Sequence, residues 1–192
     1  MPCPYRFFMK ICQAEVKRDQ AQKRLARRPL LRPFLRIPPD RIELVHFPYY
    51  RFALQVEDRS GQRKVEAGAD GILGTMVLME NLPLRWKEED FCSEFGFALS
   101  REEARAKVAE EYRWILYRAR MRRYRCRLVA IDDGELFYYP YWIGYFSLSG
   151  KWDFDILDAV TGRPLGGPLR KAFLHALLTW AREPGERQAE GT

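Results

Sequence analysis

Histidine and asparagine are nearly missing from this sequence: there are two of the first and one of the second in 192 residues. Cysteine is scarce as well, with Cys3, Cys12, Cys92 and Cys126 and no Cys-x-x-Cys pair. A structural zinc site needs four clustered thiolate or imidazole ligands. His46, His175 and four scattered cysteines do not supply them, so no metal site is expected and the thiols read as free groups in a reducing compartment. Long apolar runs are lacking too. None reaches the roughly 18 to 20 residues of a membrane helix, and Phe7-Phe8-Met9 stops at Lys10, too short for the core of an export signal. These absences predict a cytoplasmic protein without a transmembrane segment. No Gly-x-Ser-x-Gly elbow occurs, Gly166-Gly167 lacks the spacing of a phosphate loop, and no nucleophile with a neighbouring base stands out. No catalytic residue and no cofactor is expected.

What is present is enough for a packed core. Hydrophobic residues make up 47% and aromatics 14%, and charged residues make up 31%. That balance excludes a chain disordered throughout and fits one domain or two small ones. The charge is uneven. Residues 1–36 hold ten basic residues against two acids, a net +8, while the whole chain carries +7, so the remainder sums to −1. Arginine outnumbers lysine 25 to 8, a bias that makes a run of arginines weaker evidence of a site than it would otherwise be.

Two stretches match. Residues 40–56 (DRIELVHFPYYRFALQV) lie over residues 132–148 (DDGELFYYPYWIGYFSL) at an offset of 92, with five of 17 positions identical. Asp70-Gly71-Ile72-Leu73-Gly74 then lies over Asp158-Ala159-Val160-Thr161-Gly162 at an offset of 88. The first copy has four extra residues near the hairpin tip Asp58-Arg59-Ser60-Gly61. Two blocks in the same order favour an internal duplication over chance. Each unit reads as strand, hairpin, strand and turn. The Tyr, Phe, Trp and Ile of 136–148 fit a pleated, half-buried surface, and Asp133-Gly134 and Ser149-Gly150 are turn dipeptides. Asp70 and Asp158 read as turn formers, accepting backbone N–H bonds a few residues on. Pro48 and Pro140 cannot donate to a ladder and are expected at a strand edge, bulge or bend.

Three helices are predicted. Ser100 and Glu103 make a capping box opening a helix from about 101 to 120, with Ala104, Val108, Tyr112, Ile115, Leu116 and Ala119 at helical spacing. A basic helix from about 13 to 28 stops at Pro29 and has a thin apolar face of Ala14, Ala21 and Leu25. The last follows Gly166-Gly167-Pro168 with Leu169, Ala172, Phe173, Ala176, Leu177 and Trp180 on one stripe, and Pro184-Gly185 ends it. The expected fold is therefore α+β: two repeated helix-plus-antiparallel-sheet units with a C-terminal helix, sharing one sheet or packed face to face. In segments this gives a basic arm at 1–36, a first aromatic β unit at 37–98, a second helix-plus-β unit at 99–166, a helix at 167–184 and a loose tail at 185–192.

The residues LSREEARAKVAEE (99–111) and YFSLSGKWDFDILDAVTGRPL (145–165) resemble a PepSY domain, over about a third of the chain. The resemblance implies a small α+β module, of a family often found outside the cytoplasm and linked to peptidase regulation or the cell envelope. It carries no catalytic residue.

Two binding surfaces are candidates. The aromatic strands offer Tyr49, Tyr50, Tyr139, Tyr141 and Trp142 to an unknown protein or small ligand, since aromatic side chains combine contact area with polar tips. Alternation along a strand makes half of such residues core in any case. The alternative is a grip on nucleic-acid phosphates by Arg24, Arg27 and Arg28 of the arm with Arg123, Arg125 and Arg127, which alternate along a predicted strand. The ordinary account of those arginines is a solvated face. Asp153 and Asp155 share one strand face, as is common on the wet side of a sheet. An exposed strand edge would serve as the seam of a homodimer.

Overall fold

The structure is a computed structural model and describes residues 7–28, 34–79, 84–91, 95–121, 126–148 and 150–186. The strands are β1 (Phe7–Cys12), β2 (Arg41–Asp58), β3 (Gly61–Asp70), β4 (Met76–Leu78), β5 (Trp86–Phe91), β6 (Arg127–Ile131), β7 (Glu135–Leu148), β8 (Lys151–Asp158) and β9 (Pro164–Leu165). The helices are α1 (Arg18–Leu25), α2 (Arg101–Met121) and α3 (Gly167–Glu186). All the strands join one mixed sheet with the order β4-β3-β2-β7-β1-β5; β6 pairs with β2, and β8 with β7 and β9. The two aromatic units thus share a single sheet. It is antiparallel except where Ile11 of β1 lies parallel beside Tyr138 of β7.

The long central strands set the layout. β2 and β7 run antiparallel from Arg41↔Tyr145 to Arg51↔Glu135, with Phe47 opposite Tyr139 near the middle of the ladder. Each then folds back through a hairpin, β2 onto β3 at Asp58↔Gly61 and β7 onto β8 at Leu148↔Lys151. Strand alternation divides the side chains between two faces. Val45, Phe47, Tyr49, Phe137, Tyr139, Tyr141 and Ile143 pack on one face, where Ala172, Phe173 and Ala176 of α3 cover them. On the other face Tyr50, Phe52, Leu54, Val56 and Val65 meet Ala104, Val108, Tyr112 and Leu116 of α2. Ile42, Trp142 and Leu157 on that same side meet Ala21 and Leu25 of α1. The molecule therefore has three layers, helix–sheet–helix, and both halves of the aromatic alternation are buried.

Each flanking helix sits on the hairpin of the other half. α1 lies against β7 and β8, and α2 against β2 and β3. The carbonyl of Ala159, after β8, accepts the amides of Glu15 and Val16 ahead of α1, and the carbonyl of Gly71, after β3, accepts those of Ala98 and Leu99 ahead of α2. Trp142 Nε1 donates to the Val16 carbonyl at 2.7 Å, and the Tyr50 hydroxyl to the Leu99 carbonyl at 2.7 Å. Arg24 of α1 donates to the Gly162 carbonyl at 2.9 Å, and Lys107 of α2 to the Leu73 carbonyl at 2.6 Å. The turns under them are alike. Asp70 accepts from the amides of Ile72, Leu73, Gly74 and Thr75, and Asp158 from those of Val160 and Thr161. Gly74 and Gly162 close them with φ of 75° and 69°, a conformation in which a Cβ is strained. The added atom would also meet Lys107 at one site and the Arg24 guanidinium at the other.

Several expectations need correction. The first helix is shorter than 13–28 and begins at Arg18, because the amides of Gln13, Glu15 and Val16 are already committed to the carbonyls of Arg85 and Ala159. It ends at Leu25, where Ala26 turns extended and Arg27 bridges to Ile37. α3 runs through Pro184 to Glu186, so the proline, which removes an amide donor and crowds the preceding turn, lies in its last turn instead of ending it. Pro48 and Pro140 lie in the two central strands and are fully buried. Their carbonyls accept Gly71 and Ala159 beyond the last ladder pairs Tyr49↔Asp70 and Tyr141↔Asp158. Each missing N–H thus faces the point where the neighbouring strand turns away, which is a strand edge locally. The capping box forms as predicted: Glu103 N meets Ser100 Oγ at 3.2 Å and Ser100 N meets Glu103 Oε2 at 2.8 Å.

Candidate functional site

The five candidate aromatic residues are all buried, with Trp142 the most exposed at 9%. Tyr49, Tyr139 and Tyr141 face α3, while Tyr50 and Trp142 face α2 and α1 respectively. Their polar tips are used within the chain. The Tyr49 and Tyr141 hydroxyls bond each other at 2.8 Å, and the Tyr139 hydroxyl reaches both Asp158 oxygens at 3.0 and 3.1 Å. Burial pushes the Tyr49, Tyr139 and Tyr141 hydroxyls above the ordinary tyrosine range, with the nearby Asp158 adding to the effect. These groups stay protonated at neutral pH. Burial likewise raises the Cys12 thiol to about 12, far from the thiolate form that reacts or binds metal. Beneath α3 the packing leaves a void of about 10 Å³, room for no more than a single water. The aromatic cluster is structural.

The four candidate arginines among the described residues do not gather at one surface. Arg24 is spent on the Gly162 carbonyl. Arg27 spans Asp155 (Nε to Oδ2, 2.6 Å) and Asp153 (2.8 Å) and lies 3.9 Å from the Phe146 ring centre. The bond to Asp155 is the main reason its guanidinium holds its proton still more firmly than usual. Arg127 pairs with Glu57 at 2.6 Å. Arg28 is exposed, and Arg123 and Arg125 lie outside the described residues. Asp153 and Asp155 are consumed by Arg27 and by Arg170 of α3, so the acidic pair on β8 clamps two helices to the sheet.

A different constellation stands out on α2. Ala104, Val108, Tyr112 and Leu116 form a strict i+4 ladder against the sheet. Ile115, expected on that stripe, turns outward. Beside it Trp114 and Tyr117 are 56% and 54% exposed, with ring centres 5.8 Å apart and planes at 88°. Arg113 and Arg118 flank them, both exposed, and neither has an ion-pair partner among the described residues. Position 117 is i+4 from 113 and i+3 from 114, and position 118 is i+4 from 114, so these neighbours link the four side chains into one contiguous patch. The sequence held the signal for it. Two large aromatics three residues apart lie off the apolar stripe of a capped helix, inside a run from 112 to 127 that contains no acid.

Other surface features are simpler. Leu174, Leu177 and Leu178 are exposed on α3, and Trp152 stands out from β8. An open cleft of about 540 Å³ runs beside α1, lined by Asp19, Gln22, Lys23, Ala26, Arg36 and Pro38. Among the described residues no cluster of metal-ligating side chains occurs, and no helix is long and apolar enough to cross a membrane. Comparisons with known proteins add nothing to this geometry: no family model matches the chain, no curated protein matches it, and no solved structure does.

Proposed function

We propose that this chain is a non-enzymatic interaction module, with a duplicated scaffold that carries its contact surface on the outer face of α2. The observation that carries the proposal is the exposed Trp114–Tyr117 pair between Arg113 and Arg118. Trp, Tyr and Arg are the residue types that dominate binding energy at interfaces. Folding makes no use of these four: α2 seats itself through Ala104, Val108, Tyr112 and Leu116. The aromatic strands, whose rings are core on both faces, serve the module as its frame.

The scaffold is read as an internal duplication on the strength of contacts that match one for one. Tyr50 and Trp142, 92 residues apart in the aligned blocks, each bond the backbone two residues before a helix. Asp70 and Asp158 hold alike turns, and a basic side chain from a helix caps each. The Tyr49–Tyr141 bond joins two aligned positions to each other, as expected of residues related by a two-fold axis near Phe47 and Tyr139. The PepSY likeness of residues 99–165 belongs to this same reading, as one copy of the unit. The free thiols of Cys12 and Cys126 support a reducing, cytoplasmic setting.

A photo-crosslinking amino acid placed at position 114 in cells that make the protein tests the surface. Adducts at 114 and none at the more exposed control position 152 are the expected result. Equal labelling at both sites, or none at 114, overturns the assignment.

A further inference from the structure

We propose that the α2 face binds single-stranded nucleic acid, with bases stacking on Trp114 and Tyr117 and phosphates held by Arg113 and Arg118. The inference rests on the reading of α2 as the contact surface and names its partner. It starts from charge. Arg27, Arg51, Arg127 and Arg170 each face a carboxylate, whereas Arg113 and Arg118 are exposed with no ion-pair partner among the described residues. From 112 to 126 the sequence adds arginines at 120, 122, 123 and 125 and contributes no acid. Glu110 bounds the patch on the N-terminal side, and Glu111 is turned to the Met76 amide. The partner is therefore a polyanion. Arginine suits a phosphate better than lysine does, because its planar fork meets two phosphate oxygens at once.

Charge alone has an ordinary explanation, since cations near a helix C-terminus are favoured by the dipole. That does not account for the rings. Trp114 and Tyr117 stand nearly perpendicular, more than half exposed, each within one helical turn of a guanidinium. Exposed rings beside cations on a convex surface are what unpaired bases stack on, with little dependence on sequence. Bases inside a duplex are not available to them, so the site discriminates in favour of single strands. An acidic protein or an anionic lipid surface would use the charges without requiring an unpaired base.

The test is fluorescence anisotropy of a labelled short oligothymidylate, and of a duplex of equal length, titrated with the full chain at low and moderate salt. The single strand is expected to bind more tightly than the duplex. Trp114→Ala with Tyr117→Ala should weaken binding roughly tenfold or more. Arg113→Gln with Arg118→Gln should flatten the dependence of log affinity on log salt by about 1.4, two phosphate contacts' worth for a single strand. No binding at low salt, tighter binding to the duplex, or affinity untouched by the ring variant overturns the proposal. The crosslink at 114 separates the two failures. An adduct resistant to nuclease, with no oligonucleotide binding, removes nucleic acid and leaves the surface; no adduct removes the surface itself.

Discussion

The two helices on the shared face of the sheet occupy matching places and are held by different means. α2 has 21 residues, a capping box at Ser100 and Glu103, and an apolar ladder on a large cluster that includes Phe52, Leu54 and Val65. α1 has eight residues, no side-chain cap at Lys17, and only Ala21 and Leu25 buried. It is tied down by charge and hydrogen bonds: Arg24 to a turn carbonyl, and Arg27, just past its end, to Asp153 and Asp155. Backbone contacts common to both sides place the helices, through the carbonyls of Gly71 and Ala159 and the donors of Tyr50 and Trp142. Placement thus comes from the sheet and its turns, while holding strength is set separately by what each helix buries.

That comparison makes ordered predictions. The largest effect belongs to the α2 side. Phe52→Ala should lower unfolding free energy in urea by about 3–5 kcal/mol, and Leu25→Ala on the α1 side by about 2 kcal/mol. Equal losses would mean that α1 is anchored as deeply as α2. Next come the turns. Asp70 is buried and accepts four amides, while Asp158 is half-buried and accepts two amides and the Tyr139 hydroxyl. Asp70→Ala should therefore cost about 3 kcal/mol and Asp158→Ala about 2 kcal/mol in the same assay. Caps follow. Ser100→Ala should cost about 1 kcal/mol, while Lys17→Ser, which gives α1 the cap it lacks, should gain about 0.5 kcal/mol. A gain at Lys17 as large as the loss at Ser100 would mean that fraying limits α1.

The smallest effect is a pH dependence at Asp153, which ties both α3 and the segment just past α1 to the sheet. Bonds from Arg170 and then Arg27 hold the Asp153 carboxyl down at about 2. Its folded value lies below that of an unfolded aspartate, about 3.9. Its contribution is therefore complete above pH about 4 and disappears as pH falls toward 2. Hydrogen exchange read across that window should show α1 amides opening before those of α2. Asp153→Asn should remove the difference between the two ends of the window.

The sequence made some of this legible and hid the rest for physical reasons. The hairpins, the Asp–Gly turns and the capping box are local, written in residues a few positions apart, and they form where expected. The layering is not local. Alternation along 41–56 and 135–148 marks two faces but does not tell whether one or both are covered. Because α3 closes one face and α1 and α2 the other, Tyr49, Tyr50, Tyr139, Tyr141 and Trp142 become core. The partners of the arginines near α1 are equally non-local: Arg24 and Arg27 find theirs 138 and 128 residues away. The patch at Arg113, Trp114, Tyr117 and Arg118 needs only helical phase, whereas the apolar periodicity beside it extends to Ile115, which the structure turns outward.

The crossed seating of the helices has a consequence for how the chain is made. α1 is synthesised early, yet its seat consists of Trp142, Leu157, Ala159 and Gly162. Until the ribosome has released that stretch, Ala21 and Leu25 have nothing to cover, and the hairpin of β2 and β3 waits in the same way for α2. Native closure on the α1 side therefore waits for a stretch made more than 100 residues later. A stalled or truncated product ending before the second hairpin would leave α1 with no seat.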